Sequence, residues 1–185
     1  MDAPPATGRR PQVAVTDDQD DVAVDVDRWA AFAADVLEGL GLDGSVELAV
    51  AFVDEATIAE LHLEHLDLPG PTDVLSFPVD GEGAAASLVA AVDRADGSLV
   101  VDGLPSGPEP WLLGDIVICP AVAVAQAPDH AGTPDDELAL LLVHGVLHLL
   151  GLDHADPDDA QVMQAWEQGL LARHHGRLAG HPWGA

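Results

Sequence analysis

Alternating runs of apolar and polar positions predict strands and helices that follow one another along the chain. PQVAVTD alternates apolar and polar residues and indicates a first strand, and a helical apolar spacing then runs from Val26 to about Leu40, closed by Gly41. VELAVAFVD is continuously apolar, which is typical of a strand in a sheet covered on both faces. EATIAELHLEHL predicts a short helix after it. This order of elements indicates the α/β (α+β) class.

The second half of the chain adds two short strands and three helices. TDVLSFPV and GDIVICP are the strands, each with a proline near its end, and the Gly-, Ala- and Pro-rich stretch 80–110 between them predicts a long surface loop. The apolar spacing predicts the three helices at Ala121 to Ala127, Pro134 to Leu150 and Pro157 to about His174.

Length and composition indicate one domain over residues 1–185, because 48% of the residues are hydrophobic and can bury a core. The N-terminal MDAPPATGRRPQ lacks an apolar segment, so we expect disorder over residues 1–11 and no secretory signal. The longest apolar stretch, Leu138 to Leu152, is too short to span a bilayer and contains two histidines. A lone Cys119 excludes an internal disulfide. We therefore expect a cytoplasmic protein without membrane contact.

The charge balance lowers the expectation of a nucleic-acid partner. The chain has 33 acidic residues, 6 arginines and no lysine, and its formal net charge is -27. Affinity for RNA or DNA usually comes in large part from Lys and Arg that neutralise phosphates. An acidic surface in which arginine replaces lysine can also result from the base composition of the genome or from a salty cytoplasm. RNA binding would therefore need positive charge that is concentrated locally.

The most specific pattern is HGVLHLLGLDH, from His144 to His154. Thr133 is the predicted N-cap of its helix, and Gly151 suits the left-handed residue after the last turn. Because His144 and His148 are four residues apart, their side chains should share one helical face, about 5 to 6 Å apart. The turn at Gly151 then lets His154 approach the same point from a loop.

Three converging histidines predict a metal centre. Three neutral imidazoles leave the fourth position of a tetrahedral zinc ion for water, which is the arrangement of a catalytic site and not of a closed structural one. The other histidines lack mutual spacing of this kind and are not expected to bind metal; they are His62, His65, His130, His174, His175 and His181.

The spacing H-x-x-x-H-x-x-G-x-x-H is that of metzincin proteases, in which the second position is a glutamate that acts as general base. That position here is Gly145. A metal ion can itself activate water and polarise a phosphoryl oxygen, whereas peptide hydrolysis also needs a proton for the leaving amine. The pattern therefore favours phosphoester chemistry over proteolysis.

HGVLHLLGLDH, GPTDVLSFPVD and LGDIVICP together resemble the YbeY family of bacterial metal-dependent endoribonucleases, from about Val46 to about Leu171. The resemblance implies a compact domain in which helices flank a small mixed sheet of about four strands, with a metzincin-like zinc helix. It implies one zinc ion, held by His144, His148 and His154. It also implies action on single-stranded RNA in rRNA maturation and ribosome quality control.

Two positions depart from the family pattern. Many members have an arginine shortly before PTDVLSF that is thought to assist catalysis, and Leu66 occupies that position here. Leu152 stands where the family usually has an aromatic residue. The resemblance therefore assigns metal ligands but no general acid or base.

Four further residues are candidates for supporting roles. Asp115 or Asp153 could accept the second N–H of a ligand histidine and fix its tautomer. Asp73 and Ser76 could line the substrate cleft. For each of the four, an ordinary strand-end or turn position is an equal alternative.

Two other functions stay open. A zinc metalloprotease would need another carboxylate within reach of the metal site. A non-catalytic ribosome-associated factor would use its acidic face to bind basic ribosomal proteins. We rank the ribonuclease first, the ribosome-associated factor second and the protease third. For the ribonuclease, ribosomal particles or basic ribosomal proteins would present the rRNA.

Overall fold

A four-stranded mixed sheet forms the centre of the fold. The computed structural model describes residues 9–79, 89–92, 99–102, 110–152, 154 and 156–184. The strands are β1 (Gln12–Asp18), β2 (Val46–Val53), β3 (Val74–Pro78), β4 (Val89–Val92), β5 (Leu99–Asp102) and β6 (Trp111–Ile118). The central sheet has the order β1-β2-β6-β3, with β3 antiparallel to β6 and the other neighbours parallel. The expected mixed sheet is confirmed.

Three of the helices begin directly after a residue whose side chain caps the first turn. The helices are α1 (Val26–Gly39), α2 (Glu55–Leu66), α3 (Pro120–Gln126), α4 (Pro134–Leu149) and α5 (Pro157–His174). The side chains of Asp25, Asp54 and Thr133 accept backbone N–H groups at the starts of α1, α2 and α4. The bounds expected from the sequence therefore agree with the observed ones to within one residue.

Helices cover both faces of the sheet, as the continuously apolar β2 predicts. On one face α1, α4 and α5 enclose the larger core, which includes Ile116 of β6. On the other face Ile58 of α2 packs with Leu75 of β3 and Val117 of β6. Neighbouring residues of a strand point to opposite faces, so Ile116 and Val117 belong to different cores. Within the described parts of the chain, no helix combines the length and apolarity needed to cross a membrane.

The expected long loop over residues 80–110 needs correction. Strands β4 and β5 lie within it and pair as an antiparallel two-stranded sheet, with Val89 opposite Asp102 and Val92 opposite Leu99. The expectation of a continuous loop is therefore wrong for these eight positions, because β-branched and apolar residues here pair in a ladder. The remainder of the stretch, apart from residue 110, lies outside the described residues.

The expected disorder over residues 1–11 is wrong at the end of that segment. Arg10 donates a hydrogen bond to Ala31 O of α1 at 2.9 Å and forms an ion pair with Asp35 of the same helix. These contacts tie the approach to β1 against α1. Residues 1–8 lie outside the described residues.

The C-terminal tail after α5 folds back over the start of α4. Ala179 N donates to Oδ2 of Asp136 at 3.1 Å, and Gly180 N donates to Ala131 O at 2.6 Å. Glycine is needed at the crossing, because a Cβ on Gly132 would lie only 2.4 Å from Gly180 N. This return carries the end of the chain towards α5 and the histidines of α4.

Candidate metal centre

His144 and His148 project from one face of the last turns of α4. Their Nε2 atoms lie 3.0 Å apart and their ring centroids 4.4 Å apart. All the remaining residues from Asp136 to Leu150 are buried. The two imidazoles are therefore the positions at which this apolar helix opens to the surface.

Gly151 turns the chain so that His154 joins them. Its φ of 86° lies in the left-handed region, which glycine adopts without strain, and its N–H donates to His148 O at 2.9 Å. The ring centroid of His154 lies 5.4 Å from that of His144 and 5.1 Å from that of His148. One ring nitrogen from each histidine lies within 4.8 Å of the other two. Among the residues that the structure describes, this is the one group of three potential ligands with such geometry.

A buried carboxylate holds the ring of His144. Glu167 of α5 is 4% exposed, and its Oε1 lies 2.7 Å from Nδ1 of His144. A carboxylate oxygen accepts, so Nδ1 carries the proton and Nε2 keeps its lone pair. Trp183 of the C-terminal tail donates its indole N–H to the other oxygen of Glu167 at 2.6 Å. Residues from α4, α5 and the tail thus set one tautomer.

These residues fit a transition metal ion such as zinc. Zinc in proteins is bound by histidine nitrogens, and a ligand histidine usually donates its second N–H to a carboxylate or carbonyl. Three ring nitrogens converge here, and His144 already has the required tautomer. Three protein ligands leave a position for water or substrate, which is typical of catalytic sites.

Gly145 lies where α4 packs closely on the sheet. A Cβ at this position would lie 3.0 Å from Cδ1 and Cγ2 of Ile116 and 3.1 Å from Oγ of Ser76. Ser76 Oγ also donates to Gly145 O at 3.4 Å. A side chain at this position would require Ile116 and Ser76 to shift by a few tenths of an ångström. The glutamate of the protease motif is absent here, and Gly145 lets α4 approach the sheet closely.

The chain matches known proteins over most of its length. The family profile described as Endoribonuclease YbeY matches residues 14–175. The chain belongs to the YbeY family. The Endoribonuclease YbeY of Mycolicibacterium gilvum is 44% identical over 138 residues, 74% of this chain and 68% of that protein. The Endoribonuclease YbeY of Beutenbergia cavernae is 42% identical over 150 residues, which are 81% of this chain and 89% of that protein. A solution structure from Thermotoga maritima aligns with a TM-score of 0.49 and 18% identity over 88% of this chain and 91% of that one.

In this YbeY-family chain Asp115 does not reach the metal histidines. It precedes Ile116 on β6, and Ile116 faces Gly145 of α4, so the exposed Asp115 points to the opposite face of the sheet. The tautomer role that the sequence assigned to Asp115 or Asp153 is performed for His144 by Glu167. Asp153 itself lies outside the described residues.

A cavity of about 260 Å³ opens beside the metal centre. Its lining includes His144, His154, Glu167, Trp183, Asp73 and His130. Asp73, one of the two predicted cleft residues, therefore contributes to the cavity, and its Oδ2 accepts a hydrogen bond from Gln126 at 2.7 Å. Ser76 is instead packed between β3 and α4, and is not among the described residues that line the cavity. A role of either residue in substrate binding stays a prediction.

Sequence reasoning did not identify Glu167 or Trp183. Met163 and Leu171 lie four residues on either side of Glu167, and both are buried, so Glu167 belongs to the apolar stripe of α5. An acidic residue within such a stripe is unusual, and this was the available signal. Trp183 gives no comparable signal, because its position depends on the path of the C-terminal tail.

Proposed function

We propose that this chain is a zinc-dependent endoribonuclease that cleaves single-stranded RNA in rRNA maturation and ribosome quality control in the cytoplasm. Membership of a family whose profile and relatives are named endoribonucleases supports the reaction class. The observation that carries the proposal is the convergence of His144, His148 and His154 beside an open cavity. Zinc is the proposed metal because an all-histidine donor set suits it.

The chain's own residues prepare the site. Glu167 retains the Nδ1 proton of His144, so that Nε2 of this ring stays a lone-pair donor towards the other two histidines. Trp183 occupies the second oxygen of Glu167, which restricts rotation of that carboxylate. When bound, zinc would supply positive charge for the phosphoryl oxygens and lower the pKa of a water molecule towards neutrality.

The absence of a glutamate at position 145 favours phosphodiester over peptide substrates. A protease with this motif uses a glutamate beside the first histidine to pass a proton to the leaving amine. Gly145 stands in place of that glutamate here, and Ile116 and Ser76 lie close to it. Phosphodiester cleavage draws instead on positive charge at the phosphoryl oxygens, which a metal ion supplies without that glutamate.

Two of the six arginines are already paired with acidic residues, and the formal net charge of the chain is -27. Arg28 forms an ion pair with Asp135, and Arg10 forms ion pairs with Asp35 and Glu38. We therefore propose that the acidic surface binds ribosomal particles through basic ribosomal proteins, which present the rRNA at high effective concentration. Added salt should then weaken binding to ribosomal subunits but leave cleavage of naked RNA unchanged or improved, because salt screens repulsion. Tight binding of naked RNA that salt reverses would contradict this route.

A paired assay tests the reaction class. Zinc-loaded wild type and His144→Ala are each incubated with a labelled single-stranded RNA, with the same RNA as a duplex, and with casein. We expect wild type to cleave the single strand, to act weakly on the duplex and to leave casein intact, and we expect His144→Ala to be inactive. Casein cleavage that requires His144, with intact RNA, would favour the protease. If wild type cleaves none of the three substrates, and cells function normally after all three histidines are replaced, the ribosome-associated factor is favoured.

A further inference from the structure

A fourth histidine lies in the cavity that adjoins the metal centre. His130 follows the short 3-10 turn Ala127–Asp129 and lines the same cavity of about 260 Å³ as His144 and His154. Histidine is the side chain best suited to exchange protons near neutral pH. We propose that His130 is the general acid of the RNA cleavage, an inference that rests on the proposed function.

A buried carboxylate orients the ring of His130. Glu137, in the first turn of α4, is 0% exposed, and its two oxygens lie 2.8 and 3.0 Å from Nδ1 of His130. Ala131 N and the side-chain amide of Gln126 also donate to Glu137, at 3.1 and 2.9 Å. Because carboxylate oxygens accept, Nδ1 of His130 carries a proton and donates it to this bond. The ring is thus fixed by a fully buried anchor.

The other ring nitrogen is available to a substrate. The side chain of His130 is 41% exposed, although its Nδ1 edge is held by a buried group. Within the part of the chain that the structure describes, Nε2 of His130 has no hydrogen-bond partner. A histidine held at Nδ1 by a carboxylate and open at Nε2 has the arrangement of the acid–base histidine in hydrolytic triads.

The anchor is connected to a second cavity residue. The amide of Gln126 donates both to Glu137 and to Oδ2 of Asp73, at 2.9 and 2.7 Å. Asp73 also accepts the N–H of Val74 at the start of β3, so the carboxylate is fixed to the sheet. The position of His130 therefore depends on α4, which carries Gly145, and on β3, which carries Ser76.

The proposed step is hydrolysis of one phosphodiester linkage. A water oxygen forms a bond to phosphorus, and the bond from phosphorus to the leaving oxygen breaks with its electron pair on that oxygen. The leaving oxygen takes the proton from Nε2 of the His130 imidazolium, which becomes a neutral imidazole. The attacking water loses one proton to solvent and keeps the other on the new phosphate. His130 regains its proton from solvent, so the cycle closes.

Several charged groups share the surroundings of His130. Glu137 of α4 contacts its ring, and Asp73 lies one hydrogen-bonded amide further away. His144, His154 and Glu167 line the same cavity.

The test uses zinc-loaded wild type, His130→Gln and the control His62→Gln, whose histidine lies on α2 away from the cavity. Each is assayed on a single-stranded RNA and on the same RNA with sulfur in place of the leaving oxygen. The ends of the wild-type products first identify which oxygen leaves. A thiolate leaves without a proton. We expect His130→Gln to lower kcat on ordinary RNA by about 100-fold or more and on the sulfur substrate by less than fivefold. RNA affinity and zinc content should match wild type, and the variant should stay folded, because the glutamine amide can still donate to Glu137.

The tautomer of His130 gives a further readout. In wild type, imidazole ¹⁵N resonances should place the proton of neutral His130 on Nδ1, as the bond to Glu137 requires. If wild type cleaves RNA and His130→Gln cleaves it equally well, or if His130→Gln loses equal activity on both substrates, the role of His130 is overturned while the proposed function stands. If wild type cleaves no RNA, the proposed function and this inference both fail. Should His130→Gln not fold, His130→Asn must give the same pattern.

Discussion

Helices α2 and α4 each carry two histidines at neighbouring positions on the helix surface, but only α4 forms a candidate metal centre. On α4, His144 and His148 bring their Nε2 atoms to 3.0 Å. On α2, His62 uses Nδ1 to contact Gly70 O at 2.9 Å, and His65 packs its ring edge against Phe77 with centroids 4.8 Å apart. The pairs are three residues apart on α2 and four apart on α4, both spacings that place side chains side by side on a helix, but the rings contact different groups.

The difference lies in what surrounds the histidines. His144 has a buried carboxylate behind its Nδ1, and a glycine turn brings His154 to the same point. The α2 pair lacks a third potential ligand among the described residues, and both of its rings are engaged with neighbouring chain segments. Helical spacing thus brings side chains together, whereas a buried anchor and a third ligand define a metal centre.

The largest effect is expected from removal of a ligand. His148→Ala should weaken zinc affinity by at least about 100-fold, because two protein ligands no longer enclose the ion. The matched change on α2, His62→Ala, should leave zinc affinity unchanged. Competition with a chromophoric chelator measures both affinities. Similar losses in the two variants would contradict the distinction between the helices.

Removal of the carboxylate behind His144 should have the next largest effect. Glu167→Ala is expected to lower zinc affinity by about 10- to 100-fold, the usual consequence of losing the group that orients a ligand histidine. Glu64→Ala, at an exposed position of α2, is the control and should change nothing. Glu167→Gln should retain more affinity than Glu167→Ala, because its amide oxygen can still accept from His144. Glu167→Ala with affinity within twofold of wild type would show that orientation of His144 does not matter.

The tail that brings Trp183 to Glu167 depends on Asp136. Although burial alone would raise the pKa of Asp136, hydrogen bonds from His175, Thr133 and Ala179 N hold it below its ordinary value. Such a carboxylate adds stability above the unfolded pKa of about 3.9 and loses it as the pH falls through the lower folded value.

Asp136→Asn should therefore lower the free energy of unfolding at neutral pH by about 1 to 3 kcal/mol, because a charged acceptor is lost. The difference from wild type should shrink below about pH 4. Urea unfolding at several pH values measures it. A difference that stays constant from pH 7 to pH 3 would show that the charge of Asp136 does not hold the tail.

The smallest effect concerns the exposed end of α2. Leu66 is 55% exposed and stands where many family members have an arginine. Leu66 is not among the described residues that line the cavity. Leu66→Arg should therefore act through charge alone and raise the cleavage of single-stranded RNA by less than about fivefold. Leu63→Arg, one helical turn earlier on α2, is the control for added charge. Equal gains from both variants would indicate general attraction of RNA and no specific role of position 66.

Local features of the sequence predict the candidate metal ligands, and residues distant in sequence complete the candidate site. His144, His148, Gly151 and His154 lie within eleven residues, so helical spacing and one glycine turn suffice to predict their convergence. Glu167 lies 23 residues from His144 on another helix, and no local pattern links the two.

The strands and helices were predictable because their apolar spacing and caps are local. The pairing of β4 with β5 was not, because their residues lie in a Gly- and Pro-containing stretch whose composition favours a loop. His130 gave no sequence signal either, since its role depends on the buried Glu137 seven residues later and on a cavity that several elements enclose. Tertiary contacts, and not spacing, distinguish His130 from the histidines of α2.

The metal content of the purified chain tests the three-histidine centre most directly. Protein isolated without chelator is analysed for transition metals, and X-ray absorption at the zinc edge then gives the ligands and their distances. We predict one zinc ion per chain, with three imidazole nitrogens at about 2.0 to 2.1 Å. Less than half an equivalent of any transition metal, or a bound zinc without imidazole ligands, would contradict the account.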